Sequence, residues 1–219
     1  MIVTADLIDR EAVRAIREVL GRVPFRDGGV TAGATASRVK RNAQARGDDP
    51  DVIALGRSLR IALENHRIVQ DLVRPVRWSP LIFSRYAPGQ QYGLHADNAL
   101  MSDVDGWPFR TDVSFTLFLS DPETYEGGAL LISDPAGDRE FRPAAGCVVF
   151  YPTGHLHRVT PVTAGERLAC VGWIQSLIRR PDQREILLDL ARLRDGAADD
   201  ASLTLDKTIG NLLRMWGEG

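Results

Sequence analysis

The feature that most constrains the fold of this chain is a series of short β-type segments that are separated by turn residues. Between Trp78 and Ser176, runs rich in β-branched and aromatic residues alternate with Gly, Pro, Asp and Ser, and no helical pattern separates them. Six strands within about 100 residues, without crossover helices, favour antiparallel pairing over βαβ units, so the region predicts an antiparallel sandwich or jelly roll. The six runs are WSPLIFSRY, VSFTLFLS, GALLIS, CVVFYP, HRVTPV and LACVGWIQS.

Helical patterns lie on the N-terminal side of this region. Apolar residues recur at helical spacing over the first 20 positions, where Thr4 or Asp6 can cap a helix and Gly21 can end it. A second helix is expected to begin near Pro50, because proline is favoured in the first turn. It must end before Arg74, which precedes a proline.

The remaining segments predict an irregular region before the second helix and two helices at the C-terminus. Residues 26–49 are rich in Gly, Ala, Thr and Ser and predict a loop with one or two irregular strands. Beyond Arg179 the pattern is helical again, in PDQREILLDLARLRD and, after a short linker, in LTLDKTIGNLLRMW. We therefore expect a mainly β protein with flanking helices, divided into an N-terminal support region (1–77), a β core (78–178) and a C-terminal helical extension (179–219).

The composition argues against several classes of function. The net charge is −2 and no block of basic residues occurs, so binding to nucleic acid or to a membrane surface has no support. No run approaches the ~18 apolar residues of a membrane span, and the charged N-terminus lacks the features of a signal peptide. A cytoplasmic protein is therefore expected. Cys147 and Cys170 lie in apolar runs and predict buried free thiols.

His95 and Asp97 form a His-x-Asp pair inside the β-rich region. Residues two apart in a strand point to the same face of a sheet, so the imidazole and the carboxylate can converge on one point. The pair alone is a weak signal, because a hydrogen-bonded pair on the surface has the same spacing. A third ligand from elsewhere in the fold is needed to favour a metal site.

Two later histidines, His155 and His157, can supply that ligand. They lie at the start of a β-type run that could pair with the strand following His95. Two imidazoles and one carboxylate form the facial triad typical of non-haem Fe(II), with three coordination positions left open. The spacing favours His157, because the strand-like HRVTPV begins there and leaves His155 in the preceding turn.

Arg167 lies ten residues after His157, on the next strand across the PVTAG turn. This spacing can bring a guanidinium close to the metal. Arginine binds a carboxylate in bidentate geometry and stays charged. An anion that chelates iron at one end and meets Arg167 at the other describes 2-oxoglutarate.

Several longer stretches resemble the bacterial PKHD-type hydroxylases, which are relatives of the prolyl 4-hydroxylases within the Fe(II)/2-oxoglutarate dioxygenases. The similarity runs from about Trp78 to the C-terminus and includes the His-x-Asp, histidine and arginine positions described above. The stretches that carry it are RYAPGQQYGLHAD, TLFLSDPETYEGGALLI, AGCVVFYPTGHLHRVTPVTAGERLACVGWIQS and NLLRMW.

The resemblance implies a double-stranded β-helix (jelly-roll) core with Fe(II) held by His95, Asp97 and His157. It also implies that Arg167 binds the distal carboxylate of 2-oxoglutarate and that Tyr86 is a second hydrogen-bonding group for this cosubstrate. Dioxygen is the expected co-reactant, and L-ascorbate the expected reductant that keeps the iron in its ferrous state. The same pocket is expected to be lined by Leu130, Val159 and Trp173.

The primary substrate is not encoded in these motifs, because enzymes with this fold and triad act on very different molecules. A small molecule or a peptide is expected. Two other classes of function remain open at this point, namely a cupin-like metalloenzyme that does not use 2-oxoglutarate and a non-catalytic ligand-binding jelly roll. The amphipathic C-terminal segment that ends at Trp216 makes self-association into a homo-oligomer a further expectation.

Overall fold

The computed structural model describes residues 1–218. Within them, two antiparallel sheets face each other and four α-helices flank them. The helices are α1 (Arg10–Leu20), α2 (Pro50–Asn65), α3 (Pro181–Asp195) and α4 (Asp199–Trp216). The strands are β1 (Val3–Asp6), β2 (Phe25–Asp27), β3 (Lys40–Arg41), β4 (Ala43–Ala45), β5 (Pro75–Trp78), β6 (Ile82–Tyr86), β7 (Gln91–His95), β8 (Leu100–Ser102), β9 (Pro108–Arg110), β10 (Val113–Phe118), β11 (Tyr125–Gly127), β12 (Leu130–Asp134), β13 (Gly137–Phe141), β14 (Cys147–Pro152), β15 (His157–Val159), β16 (Val162–Gly165) and β17 (Arg167–Ser176).

The larger sheet has the order β1-β14-β10-β17-β6-β4-β2, and β5 also pairs with the long strand β17. The smaller sheet has the order β13-β12-β15-β7-β3. Two short hairpin-like pairs, β8 with β9 and β11 with β16, lie outside these sheets. The predicted mainly β architecture with antiparallel pairing and flanking helices is confirmed.

The central strand β10 shows why this sequence packs as a layered structure. All six residues of VSFTLF are buried, and successive side chains point to opposite faces of the sheet. Phe115 and Leu117 join the core formed with α1 and α2, whereas Phe118 packs against Leu130 of the smaller sheet. The larger sheet is therefore covered by helices on one face and by the smaller sheet on the other.

The N-terminal residues contribute strands to both sheets. Strand β1 pairs with β14, β4 pairs with β6, and β3 pairs with β7. A π-helical turn at Val69–Val73 and short 3-10 turns at Gly28–Thr31 and Ala36–Val39 connect these elements. The segment 26–49 thus leaves the edge of the larger sheet at β2, pairs with the edge of the smaller sheet through β3 and returns to the larger sheet at β4.

The first helix begins later than the sequence predicts. Asp9 is its N-cap, accepting a hydrogen bond of 2.8 Å at Oδ1 from the backbone nitrogen of Ala12. Thr4 and Asp6, the predicted caps, lie instead in β1, so that prediction was wrong. The physical reason is tertiary: β14 offers a free edge, and the register Thr4 to Val149 completes the sheet there.

Two other local predictions need correction. The run WSPLIFSRY is not one strand: Trp78 ends β5 and Ile82–Tyr86 form β6, with a break around Pro80, which has no backbone N–H to donate. Both cysteines are free thiols, as predicted, but only Cys170 is buried, whereas Cys147 is half-buried beside Asp6.

The two C-terminal helices that the sequence predicts are present, and they pack against each other. Their shared apolar contact includes Leu187 of α3 and Ile209 of α4, together with Ile178 from the segment that follows β17. Across residues 1–218, none of the helices combines the length and the apolar character that a membrane crossing requires.

Candidate metal and cosubstrate site

His95, Asp97 and His157 meet in a cavity between the two sheets. His95 is the last residue of β7 and His157 is the first residue of β15, and the two are direct partners across these antiparallel strands. The strand of His157, β15, therefore pairs with β7, which ends at His95. The sequence had suggested pairing with the strand that follows His95 instead. Asp97 lies in the loop after β7, so the expectation that it shares a strand with His95 was wrong.

The three side chains present a compact set of ligand atoms. Their candidate donor atoms all lie within 4.8 Å of one another. The distance from His95 Nε2 to Asp97 Oδ1 is 3.8 Å, and that from His157 Nε2 to Asp97 Oδ2 is 3.6 Å. Two imidazoles and one carboxylate at this spacing suit a divalent iron ion with open positions on the side of the cavity.

The orientation of both imidazoles is set by backbone carbonyls. His95 Nδ1 lies 2.8 Å from the Gly93 oxygen, and His157 Nδ1 lies 3.0 Å from the His155 oxygen. A carbonyl only accepts, so Nδ1 carries the proton in each ring and Nε2 presents its lone pair to the site. Burial, with a smaller contribution from His157, lowers the pKa of His95 to about 4, so this ring is neutral at pH 7.

Asp97 is oriented by hydroxyl groups that the sequence analysis missed. Ser114 Oγ donates a 2.9 Å hydrogen bond to Asp97 Oδ2. Since this single proton goes to Asp97, the Thr153 hydroxyl 3.0 Å away donates to Ser114. The signal for Ser114 was the presence of a serine inside the apolar strand VSFTLF, where burial of a hydroxyl requires a partner.

Arg167, the first residue of β17, is 1% exposed and faces the same cavity. Its guanidinium carbon lies 5.3 Å from the ring centre of Tyr86 and 5.0 Å from that of Phe118. Its Nε and Nη2 atoms are buried and have no hydrogen-bond partner among the described residues. A buried guanidinium without a counter-charge is costly, so this geometry fits an anionic ligand that enters the cavity.

The other residues that the resemblance places in the pocket also line the cavity. Tyr86 is the direct cross-strand partner of Arg167 and is buried. Its burial raises the pKa of its phenol, which therefore keeps its proton and can donate a hydrogen bond. Leu130, Val159 and Trp173 form further parts of the wall.

Gly128 makes room for Arg167. Its φ is +62°, and a Cβ atom at this position would lie 3.0 Å from Arg167 Cδ. Glycine is required both by the backbone conformation and by the approach of the arginine side chain. Gly128 therefore has a packing role beside the site in addition to its place in the connection between β11 and β12.

The histidines outside the triad have other surroundings. His155 is half-buried, and its Nδ1 lies 3.1 Å from the Ser133 oxygen. His66 follows α2, and its Nε2 lies 3.0 Å from the Asp6 oxygen. His157 differs from His155 and His66 because it lies next to His95 and Asp97. Its role as an iron ligand stays a prediction.

The comparisons with known proteins identify the family. Residues 81–175 match the family model of the 2OG-Fe(II) oxygenase superfamily. A PKHD-type hydroxylase of Maricaulis maris is 45% identical over 214 residues, which cover 95% of this chain and 94% of that protein. A PKHD-type hydroxylase of Synechococcus elongatus is 44% identical and is matched over the full length of both chains.

Solved structures show the same fold at lower identity. A prolyl-4-hydroxylase of Pseudomonas putida has 23% identity and a TM-score of 0.53, with 80% of this chain and 92% of that chain covered. A 2OG-Fe(II) oxygenase family oxidoreductase of Burkholderia pseudomallei has 18% identity and a TM-score of 0.57, with coverage of 78% and 84%. The predicted jelly-roll core is thereby confirmed.

The cavity brings together two imidazoles, one carboxylate and a buried guanidinium. The cofactor of the chain is Fe(II), its cosubstrate is 2-oxoglutarate, and dioxygen and a substrate to be hydroxylated are its reaction partners. On the sequence identity to its full-length relatives, the chain belongs to the PKHD-type hydroxylases of the 2OG-Fe(II) oxygenase superfamily.

Proposed function

We propose that His95, Asp97 and His157 hold Fe(II) in this hydroxylase, and that Arg167 and Tyr86 bind the distal carboxylate of 2-oxoglutarate. The observation that carries the proposal is the buried guanidinium of Arg167, whose Nε and Nη2 atoms have no partner within residues 1–218. This guanidinium and the triad line one cavity. A dicarboxylate can therefore reach both from a single position.

When bound, Fe(II) would supply the oxidative chemistry with dioxygen as the oxidant: one oxygen atom enters succinate as 2-oxoglutarate loses CO2, and the other hydroxylates the substrate. The residues of the chain orient the reactants. His95 and His157 direct their Nε2 lone pairs to one point because both Nδ1 protons are held by carbonyl oxygens. Ser114 holds one oxygen of Asp97 and leaves the other free.

Arg167 and Tyr86 have complementary roles at the inner end of the cavity. Arg167 offers two N–H groups in a fixed plane, which match the two oxygens of a carboxylate. Tyr86 stays protonated and offers one further donor. The apolar side chains of Leu130 and Val159 limit the access of water to this end, which strengthens each polar contact.

The proposal is tested by an anaerobic titration of the protein with Fe(II) and 2-oxoglutarate, followed by the weak visible charge-transfer band of the chelate. We expect the band in the wild type and in His155→Ala, and its loss in His157→Ala. In Arg167→Met the band should require about 100-fold more 2-oxoglutarate, since a buried charge pair contributes about 3 kcal/mol.

Two results would contradict the proposal. A band that survives in His157→Ala and disappears in His155→Ala would transfer the ligand role to His155. The absence of a band in the wild type, with tight binding of Zn(II) or Mn(II) instead, would favour the cupin-like alternative.

Three further features belong to the same proposal. The protein acts in the cytoplasm, where unpaired thiols such as Cys170 persist. L-ascorbate serves as the reductant for iron. The C-terminal helices α3 and α4, which expose Leu193, Leu203 and Met215, support a homo-oligomer.

A further inference from the structure

The cavity is lined by a second cation, Lys40, which lies on the smaller sheet, whereas Arg167 lies on the larger one. Lys40 is on the edge strand β3 and is the direct cross-strand partner of Tyr92 on β7. Tyr92 in turn stacks on His95, with ring centres 3.5 Å apart. Lys40, Tyr92 and His95 thus form a continuous row on the face of the smaller sheet that lines the cavity.

The ammonium group of Lys40 is held in a defined position. Its Nζ lies 5.0 Å from the centre of the Tyr92 ring and donates a 3.0 Å hydrogen bond to Thr31 Oγ1. The Thr31 hydroxyl donates in turn to Gln44 Oε1 at 2.8 Å. Both Thr31 and Gln44 also line the cavity. This chain of contacts positions the ammonium without neutralising its charge.

Lys40 has no ion-pair partner among residues 1–218, because none of their carboxylates lies within 4.0 Å of its nitrogen. Asp97, which also lines the cavity, lies next to the two histidines instead. An ammonium has three donors, and one is used by Thr31. Burial lowers the pKa of Lys40 to about 8, with Asp97 and Asp27 opposing part of this effect, so the group is mostly protonated at pH 7.

The two cations differ in their access to solvent. Arg167 is at the buried end of the cavity beside Tyr86. Lys40 is half-buried, and the cavity wall around it includes the exposed residues Thr31 and Asn98. A ligand that enters after the cosubstrate would therefore meet Lys40 before it reaches the triad.

We propose that Lys40 is a specificity-determining residue that binds a carboxylate group of the primary substrate. This inference rests on the proposed function, which assigns the Arg167 end of the cavity to 2-oxoglutarate and leaves the Lys40 end for the molecule that is hydroxylated. The substrate is accordingly an organic acid, or a peptide with a carboxylate near the carbon that is oxidised.

The chain offers a direct probe, because Lys40 and Lys207 are its only lysines. Protein labelled with 13C at the lysine ε-carbon gives two signals, which Lys40→Arg assigns. The exposed Lys207 on α4 is the internal control. The protein is loaded with Zn(II), a diamagnetic substitute for Fe(II), saturated with 2-oxoglutarate, and titrated with acetate, with acetamide as the neutral control.

We expect a saturable shift of the Lys40 signal with acetate, no such shift with acetamide, and only a small linear change for Lys207. Equal responses of the two lysines, or equal responses to acetate and acetamide, would overturn the inference. A shift that occurs on addition of 2-oxoglutarate and blocks any later response to acetate would assign Lys40 to the cosubstrate and also overturn it. A stronger saturable response to inorganic phosphate than to acetate would replace the carboxylate with a phosphate group.

Binding of 2-oxoglutarate to the same Zn(II) protein is measured separately by calorimetry. If 2-oxoglutarate does not bind, the proposed function fails regardless of Lys40. If it binds with equal affinity to wild type and Lys40→Gln while the Lys40 signal ignores acetate, only the present inference fails.

Discussion

The two faces of the larger sheet are built from the same strands but have opposite properties. The outer face, which packs against α1 and α2, consists of apolar side chains such as Phe115, Leu117 and Ile174. The inner face contains Ser114 and Arg167, and the guanidinium of Arg167 has atoms without a partner in the described chain. Alternation along β10 and β17 separates the two sets within single strands.

This difference separates stability from activity. The outer face stabilises the fold without any ligand, because burial of its apolar surface is favourable. The inner face holds buried polar groups whose desolvation is compensated only when a metal and an anion bind. Substitutions on the outer face should therefore lower the free energy of unfolding, whereas those on the inner face should lower ligand binding and turnover.

The largest effect at the cavity that the inner face lines is expected for Asp97→Ala. Loss of the single carboxylate among the candidate ligands should reduce consumption of 2-oxoglutarate below detection, while the melting temperature stays the same or rises. Measurement of 2-oxoglutarate turnover and of thermal unfolding checks both parts. Asp189→Ala, on the exposed side of α3, is the matched control and should retain full activity.

On the outer face, Phe115→Ala should destabilise the protein by about 3–5 kcal/mol, because it leaves a cavity between the rings of Trp78 and Phe150. Chemical denaturation measures this loss. At low temperature the folded fraction should still bind 2-oxoglutarate with wild-type affinity. A large loss of affinity in the folded fraction would show that the two faces are not independent.

Ser114→Ala changes the neighbouring residue on the same strand but on the opposite face. The loss of the hydrogen bond to Asp97 should lower the affinity for Fe(II) by about 10–100-fold, as is typical of groups that orient metal ligands. The free energy of unfolding should change by about 1 kcal/mol or less. Metal titration and denaturation of Ser114→Ala and Phe115→Ala together test whether the two faces of β10 separately control metal binding and stability.

The smallest expected effect is the contribution of Lys40 to the pH dependence of the free energy of unfolding. Its pKa is lowered from 10.5 to about 8 in the folded protein, so the unfolded chain binds more protons between these values. The stability of the wild type relative to Lys40→Met should therefore be constant well below pH 8 and rise towards pH 10.5. We expect a rise of about 1–2 kcal/mol, less than the roughly 3 kcal/mol of the full shift, because solvent reaches the half-buried Lys40. Denaturation of both proteins across this range measures the difference, and a difference that does not depend on pH would contradict a desolvated ammonium.

The sequence predicted the β core and most of the candidate site, because both depend on short patterns. Alternating apolar residues identified the strands, and the spacing of His95, Asp97, His157 and Arg167 identified the groups that the cavity brings together. Pro50 and Pro181 at the first positions of α2 and α3 marked two helices correctly. These signals are local, and tertiary packing reinforces them.

The features that were missed depend on contacts between distant segments. The cap of the first helix was placed at Thr4 or Asp6 because the free edge of β14 is not visible in the sequence. The hydroxyl of Ser114 gains its role only when β10 lies beside the loop that carries Asp97. Lys40 is 55 positions before His95 and reaches the cavity only because β3 pairs with β7. Its rarity, as one of two lysines, was the single clue in the sequence.

The central claim, that the inner face is built for ligands at the expense of stability, is tested most directly by calorimetry of wild type and Arg167→Met. Without ligands, Arg167→Met should unfold at the same or a higher temperature, because an unpaired buried charge is replaced by an apolar side chain. Addition of Mn(II) and 2-oxoglutarate at about 100 times the dissociation constant should raise the wild-type melting temperature by about 5 °C or more, and that of the variant much less. An Arg167→Met protein that melts well below the wild type, yet gains the same increment from the ligands, would contradict the claim.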